Sequence, residues 1–285
     1  MLGLRAAACL LLGVAGAVAG VPGQSVACGA ATPCHVDGGS YLIRVPKNAS
    51  SAQPAGAIVY FHGHRSSAEA SMRFKSLAAA AEELGVALIA PDGLGKSWSF
   101  PNSPRRERDE LAFMHRVLDD VLERFPIDPN RLMSSGFSIG GTMSWYMACY
   151  LGERFAGHAP ISGTFWRPVP KECPGPDPFS SHVHGTADKI FPLEGRVIRK
   201  KYRQGNTLEA IEFFRNRGAA PPAVERFTDG GLDCSSSETR LGGQVELCLH
   251  AGGHSIKGEW VRRGWLRLAA FKGWAEPEKA ANAGG

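Results

Sequence analysis

The segment Gly136-Phe137-Ser138-Ile139-Gly140-Gly141 constrains the fold of this chain more than any other. A short run, Arg131 to Ser135, precedes it, and an apolar stretch suited to a helix, Thr142 to Tyr150, follows. A Gly-x-Ser-x-Gly at a strand-to-helix junction forms a turn too tight for large neighbours on either side of the serine. The turn lifts the hydroxyl out of the sheet edge. It also places the serine at a helix N-terminus, where developing negative charge is stabilised. The chain holds 35 glycines, so the motif could arise by chance and its context must decide.

The context is an alternation of strand-like and helix-like segments. Tyr41 to Val45, Ala57 to Phe61 and Val86 to Ala90 are apolar β runs stopped by Pro46, His62-Gly63 and Pro91-Asp92-Gly93. Ser66-Ser67-Ala68-Glu69 predicts a capping box that opens one helix through Leu84. Asp109 to Phe125 carries Leu111, Val117, Leu118, Val121, Leu122 and Phe125 on a helical period, and Pro126 ends it. Further strands are expected within Phe155 to Ser162, and over Ser181 to His184, Ala223 to Phe227 and Gln244 to His250. Helices are expected over Leu208 to Asn216 and Ile256 to Trp274. Strands separated by helices imply a mostly parallel sheet covered on both faces, an α/β fold. Residues 20–274 read as a single domain, with a proline-rich surface loop from Pro168 to Pro178 and a mobile tail over 275–285.

A net charge of +5, with 44% hydrophobic and 21% charged residues, fits an ordinary globular protein. No basic cluster is interleaved with aromatics, so nucleic acid is not an expected partner. Arg5 followed by an apolar, small-residue stretch and Ala17-Val18-Ala19 reads as a signal peptide over 1–19. That stretch is too short and too glycine-rich for a membrane span, and no later stretch could make one. An exported chain meets an oxidising compartment. Beyond the leader the cysteines are Cys28, Cys34, Cys149, Cys173, Cys234 and Cys248, an even set. Proximity in sequence suggests the disulfides Cys28–Cys34, Cys149–Cys173 and Cys234–Cys248.

A serine hydroxyl needs a base to take its proton, and the base needs an acid to orient it. In the α/β-hydrolase arrangement these follow in the order Ser, Asp or Glu, His. Asp188, in His184-Gly185-Thr186-Ala187-Asp188, stands just past a strand, where the sites of open α/β sheets lie. Asp177 and Asp229 are its alternatives. Among nine histidines, His254 in the glycine loop Gly252-Gly253-His254 falls after the last strand and fits the base. The remaining oxyanion donor is expected where Tyr60-Phe61-His62-Gly63-His64 leaves its strand. The His64 N–H, with Arg65 as alternative, would pair with the N–H of Ile139, the residue after the serine. His62 reads as a structural histidine holding that loop. The pairs His62/His64, His182/His184 and His250/His254 could chelate in principle, but no HExxH or carboxylate set accompanies them, and no metal site is expected.

With these pieces in order, the chain resembles the polyhydroxybutyrate depolymerase and feruloyl esterase group of secreted α/β-hydrolases. Phe61-His62-Gly63, Ala90-Pro91-Asp92-Gly93 with Trp98, Gly136 to Met143, His184 to Asp188 and Gly252-Gly253-His254 carry the resemblance, which spans roughly Tyr41 to Trp274. It implies serine carboxylester hydrolysis without a cofactor, an ester as the partner molecule, and Ser138, Asp188 and His254 as the triad. Ser255-Ile256-Lys257-Gly258 departs from the Trp-Pro-Gly that often follows the histidine in that group, and Ile139 stands where Ala or Asn is common. Both changes bear on the substrate. Trp98, Phe100, Trp166 and Phe191 are expected to line an apolar acyl or aryl pocket. A prolyl-oligopeptidase-like peptidase, a thioesterase and a catalytically silent binding module are the competing readings.

Overall fold

The computed structural model describes residues 28–216, 223–239 and 241–274. The expected leader and tail lie outside the described residues. The strands are β1 (Cys34–Val36), β2 (Gly39–Arg44), β3 (Ala55–Phe61), β4 (Ala87–Pro91), β5 (Ile127–Phe137), β6 (Gly157–Ile161), β7 (Phe179–Gly185), β8 (Val197–Ile198), β9 (Tyr202–Arg203), β10 (Glu225–Asp229), β11 (Leu232–Glu238) and β12 (Gln244–His250). The helices are α1 (Ala68–Arg73), α2 (Lys75–Glu83), α3 (Glu110–Arg124), α4 (Ile139–Tyr150), α5 (Thr207–Arg215) and α6 (Gly258–Lys272).

Ten strands make one sheet in the order β1-β2-β4-β3-β5-β6-β7-β12-β11-β10, and β8 and β9 form a separate hairpin. The middle six, from β4 to β12, are parallel to their neighbours. The two strands at each edge run antiparallel to theirs. Successive residues of a strand point to opposite faces, and in β3 both faces are buried. Ala57, Val59 and Phe61 enter a core with Val117, Trp145 and Ile211 of α3, α4 and α5. Ile58 and Tyr60 enter a second core with Met72, Leu77 and Trp265 of α1, α2 and α6. The sheet is therefore sandwiched, which accounts for the near-continuous apolar runs in its central strands.

Three local expectations need correction. The helix after Ser66 is two helices, broken at Phe74, whose backbone is extended (φ −70°, ψ 97°). The cap is Ser67, whose side chain accepts from Ala70 N–H, while Glu69 pairs with Arg73 and takes no part in a capping box. The short strand β1 and the serine-rich β11 were not anticipated. β11 pairs along its length with β12, and Cys234 lies directly opposite Cys248. Disulfides join Cys28 to Cys34, Cys149 to Cys173 and Cys234 to Cys248. The second ties the end of α4 to the proline-rich loop.

Candidate active site

The parallel strands place one loop after another along a single rim. Phe61 at the end of β3 is level with Gly136 in β5, Phe137 with Ile161 in β6, and Gly185 at the end of β7 with His250 at the end of β12. His64, Ser138, Asp188 and His254 all follow these strand ends.

Ser138 turns the chain from β5 directly into α4 with φ 59° and ψ −123°. This backbone strains an L-residue. Its N–H donates to Ile161 O at 2.9 Å, and its own carbonyl accepts from Thr142 N–H at 3.0 Å. A Cβ on Gly136 would lie 2.4 Å from Gly140 O, and one on Gly140 would lie 2.0 Å from Phe61 O. Neither position admits a side chain, so the glycines of the motif follow from contact distances.

The Asp188 carboxylate is fully buried and accepts three hydrogen bonds, with a fourth polar group close by. Oδ1 accepts from the backbone N–H groups of Ile190 and Phe191, both at 2.8 Å. Oδ2 lies 2.6 Å from Nδ1 of His254 and 3.6 Å from Nε2 of His184. A carboxylate at that distance places the His254 proton on Nδ1 and leaves Nε2 with a lone pair. The His254 ring rests on Phe137, with centroids 4.5 Å apart.

Behind Asp188 runs a chain of hydrogen bonds whose direction is fixed at both ends. The indole Nε1–H of Trp145, a donor only, points at His182 Nδ1 at 3.1 Å. His182 Nε2–H must then donate to His184 Nδ1 at 2.9 Å. His184 Nε2–H in turn donates to Phe191 O at 2.7 Å. Burial, the larger effect, and their mutual repulsion hold His182 well below the usual imidazole range. Burial also lowers His184, against the pull of Phe191 O and Asp188. Both rings are neutral, and they lock the turn that presents Asp188. The sequence placed these two histidines on one strand face but gave them no role.

At the β3 end, His62 accepts from Gly93 N–H through Nε2 at 2.9 Å and reaches Gly63 O through Nδ1 at 2.8 Å. Its carbonyl accepts from Trp98 Nε1–H at 2.9 Å. His62 shapes the loop, as its position suggested. Arg65 N–H is committed to Lys96 O at 2.8 Å. The backbone N–H groups of His64 and Ile139 make no hydrogen bond among the described residues. The His64 imidazole is pushed below its ordinary range by burial first, then by Arg65, Arg105 and Arg199.

Ser138, His64 and His254 share the wall of one cleft of about 670 Å³, with Phe74, Phe137, Ile190 and Ile256 as its apolar lining. No Ser138–His254 hydrogen bond is formed among the described residues. In free hydrolases that contact commonly tightens only when substrate binds. The four aromatics expected in the pocket lie elsewhere. Trp98, Trp166 and Phe191 are buried and do not line this cleft, and Phe100 borders a separate cavity of about 620 Å³ with Tyr146 and Tyr150. Their closeness to the motifs in sequence reflects support. Trp98 braces the His62 carbonyl, and the Phe191 backbone braces Asp188 and His184. The apolar lining of this cleft comes from Phe74, where the helix breaks, and from residues close to Ser138, Asp188 and His254 in sequence.

Neither alternative acid serves this site. Asp229 accepts from Arg263 Nε at 2.7 Å. Asp177 precedes β7, at the opposite end of the strand from Asp188, and accepts from Leu241 N–H at 3.2 Å. A second serine–histidine pair, Ser134 Oγ and His158 Nδ1 at 2.7 Å, is sealed in the core with Ser144 as its other partner. Burial holds His158 down to about 3. No substrate could reach this pair.

No protein-family model matches the chain. Among solved structures, it is similar to the acetyl xylan esterase from Aspergillus awamori, with a TM-score of 0.57 and 14% identity over 81% of this chain and 94% of that one. It is also similar to a phospholipase/carboxylesterase from Dyadobacter fermentans, with a TM-score of 0.55 and 12% identity over 82% and 98% of the two chains. At such identities the likeness concerns the fold. Sequence relatives add to it. The chain is 26% identical to feruloyl esterase D of Neurospora crassa over 231 residues, 75% of this chain and 73% of the relative. It is 26% identical to feruloyl esterase C of Emericella nidulans over 229 residues, 77% of each.

The chain has the α/β-hydrolase fold and is similar in sequence to feruloyl esterases. A further relative is a Nocardia uniformis protein named "Putative esterase NocK", 30% identical over 222 residues, 69% of this chain. The match spans 64% of that relative's length. The Ser138 turn, the buried Asp188 and the glycine-loop His254 follow one another in the order in which this fold carries its triads.

Proposed function

We propose that this protein cleaves carboxylic esters through an acyl-enzyme, with Ser138 as nucleophile, His254 as base and Asp188 as the orienting acid. The observation that carries this reading is the 2.6 Å contact between His254 Nδ1 and the buried Asp188 carboxylate, with His254 and Ser138 on the wall of one cleft. Ser138 Oγ attacks the ester carbonyl while His254 Nε2 takes its proton. Asp188 holds the Nδ1–H tautomer and stabilises the imidazolium. The Ile139 and His64 N–H groups bind the oxyanion, and each such donor is worth about 3 kcal/mol of transition-state stabilisation. The commitment of Arg65 N–H to Lys96 favours His64 over Arg65 for this role. His254 then protonates the leaving alcohol, and water clears the acyl group by the same route.

The relatives named feruloyl esterases, together with the apolar lining from Phe74, Phe137, Ile190 and Ile256, support an aryl or short acyl group as the part held in the cleft. The leader pattern at 1–19, with three disulfides, supports an exported protein whose catalytic domain spans 20–274.

Ser138→Ala is expected to abolish labelling by a fluorophosphonate and turnover of nitrophenyl acetate and methyl ferulate. Asp188→Asn is expected to lower kcat by about 10⁴, because the amide favours the wrong His254 tautomer. Full turnover by folded Ser138→Ala overturns the assignment.

A further inference from the structure

Seven non-glycine residues among those described hold a positive φ, and four of them are basic: Arg65, Lys96, Arg199 and Lys200. Left-handed backbone is unfavourable for long side chains, and such conformations concentrate at functional sites. Three of these cations, Arg65, Lys96 and Arg199, neighbour His64 of the Ser138 cleft wall. Arg65 follows His64, which forms the cleft wall beside Ser138. The Arg65 N–H to Lys96 O bond of 2.8 Å clasps the two loops together. Arg199, from the turn between β8 and β9, lies within electrostatic reach of the His64 imidazole, as do Arg65 and Arg105.

Their pairing separates them. Arg105 is met by Glu107 at 2.9 Å, and Arg73, also on the cleft, is met by Glu69. Arg65, Lys96 and Arg199 are exposed and form no ion pair among the described residues. Like charges held close together repel, and a cleft with low-dielectric walls focuses their field inward. Such a rim suits a group that brings its own negative charge, and a guanidinium fork meets a carboxylate in two parallel hydrogen bonds.

The geometry points to an ester that carries a second, anionic oxygen group, a carboxylate or a comparable oxyanion, seated on Arg65, Lys96 and Arg199 while its ester carbonyl meets Ser138. The inference rests on the serine-hydrolase reading above and narrows its substrate class. The anionic group is a handle only. The acyl C–O bond breaks, water supplies OH to the acyl carbon and H to the alcohol, and the handle leaves unchanged on whichever product bears it.

Two matched pairs of esters locate the handle. On the alcohol side, 4-acetoxybenzoate is compared with its methyl ester. On the acyl side, mono(4-nitrophenyl) adipate is compared with 4-nitrophenyl hexanoate. Each kcat/KM is divided by the rate constant of that ester with hydroxide. At about 20 mM ionic strength, where charges act across tens of ångströms, the anionic member of one pair is expected to lead by about tenfold or more. In about 1 M sodium chloride, with a screening length near 3 Å, the lead should fall towards one. Arg199→Gln, which is remote in sequence from the proposed oxyanion loop, and Arg65→Gln should each cut the low-salt ratio several-fold. A ratio near or below one in both pairs overturns the proposal, and so does a lead that neither salt nor Arg199→Gln diminishes. If neutral esters turn over in a Ser138-dependent way without charge preference, only this inference fails. If no ester turns over, the hydrolase reading fails with it.

Discussion

His158 sits between Ser134 of β5 and the aromatic ring of Phe155, and burial alone pulls its pKa from 6.5 down to about 3. His182 and His184 are displaced in the same direction. Between the folded and unfolded values, the unfolded chain binds protons that the native chain refuses. Stability from this source is whole above pH 6.5 and drains away as the pH falls towards 3. The expected outcome is a urea midpoint that drops steeply from pH 7 to pH 4. His158→Asn, whose amide can keep the Ser134 hydrogen bond, should flatten the slope. An unchanged slope in a folded variant shows that His158 does not contribute. At this scale the motif-borne residues were legible from sequence, because turn geometry and chain order dictate them. Ser138, Asp188, His254 and His64 stand where their motifs placed them, at one rim. The aromatic lining was not legible. Whether Trp98 or Phe137 faces the cleft depends on side-chain direction at strand and loop ends, and residue type does not reveal it.

At the scale of elements, α6 is fastened to the sheet by charge as well as by its apolar stripe. Glu246 of β12 is wholly buried and receives Arg263 at 2.6 Å and Arg267 at 2.9 Å. Ser181 of β7 donates to the same carboxylate at 2.7 Å. Removing Arg263 would leave the buried carboxylate with the more exposed Arg267 as its one remaining cation. Arg263→Leu is therefore expected to cost about 3 kcal/mol, while Glu246→Leu with Arg263→Leu should recover part of that loss. Chemical denaturation of the three proteins measures it, and a purely additive double variant contradicts the coupling. The sequence displayed the apolar period of α6 but not this anchor, since a glutamate inside an apolar strand reads equally well as an edge residue. β11 is hidden in the sequence for a similar reason. Its Cys-Ser-Ser-Ser core lacks the β-branched residues that mark a strand, and pairing with β12 together with the Cys234–Cys248 link supplies what its composition does not.

At the scale of the whole molecule, the site is spread over the ends of β3, β5, β7 and β12, with β6 between them, and no element owns it. Any opening that separates these parallel strands moves His64, Ser138, Asp188 and His254 relative to one another. Far-UV circular dichroism and hydrolysis of nitrophenyl acetate, followed through one urea titration, are expected to fall together. Activity that outlasts the circular dichroism signal would contradict a site built on strand ends. The α/β class and its two-faced cover were legible in the alternation of segments, whereas the antiparallel strands at both margins were not. The ordering of Trp145, His182 and His184 behind the acid has one more result. Every proton in that row is committed, from an indole that can only give to a carbonyl that can only receive. The interior thus offers the carboxylate no spare hydrogen and no path for one, so whatever acid or base equivalents the chemistry consumes must enter and leave by the open side, through the water that wets the substrate.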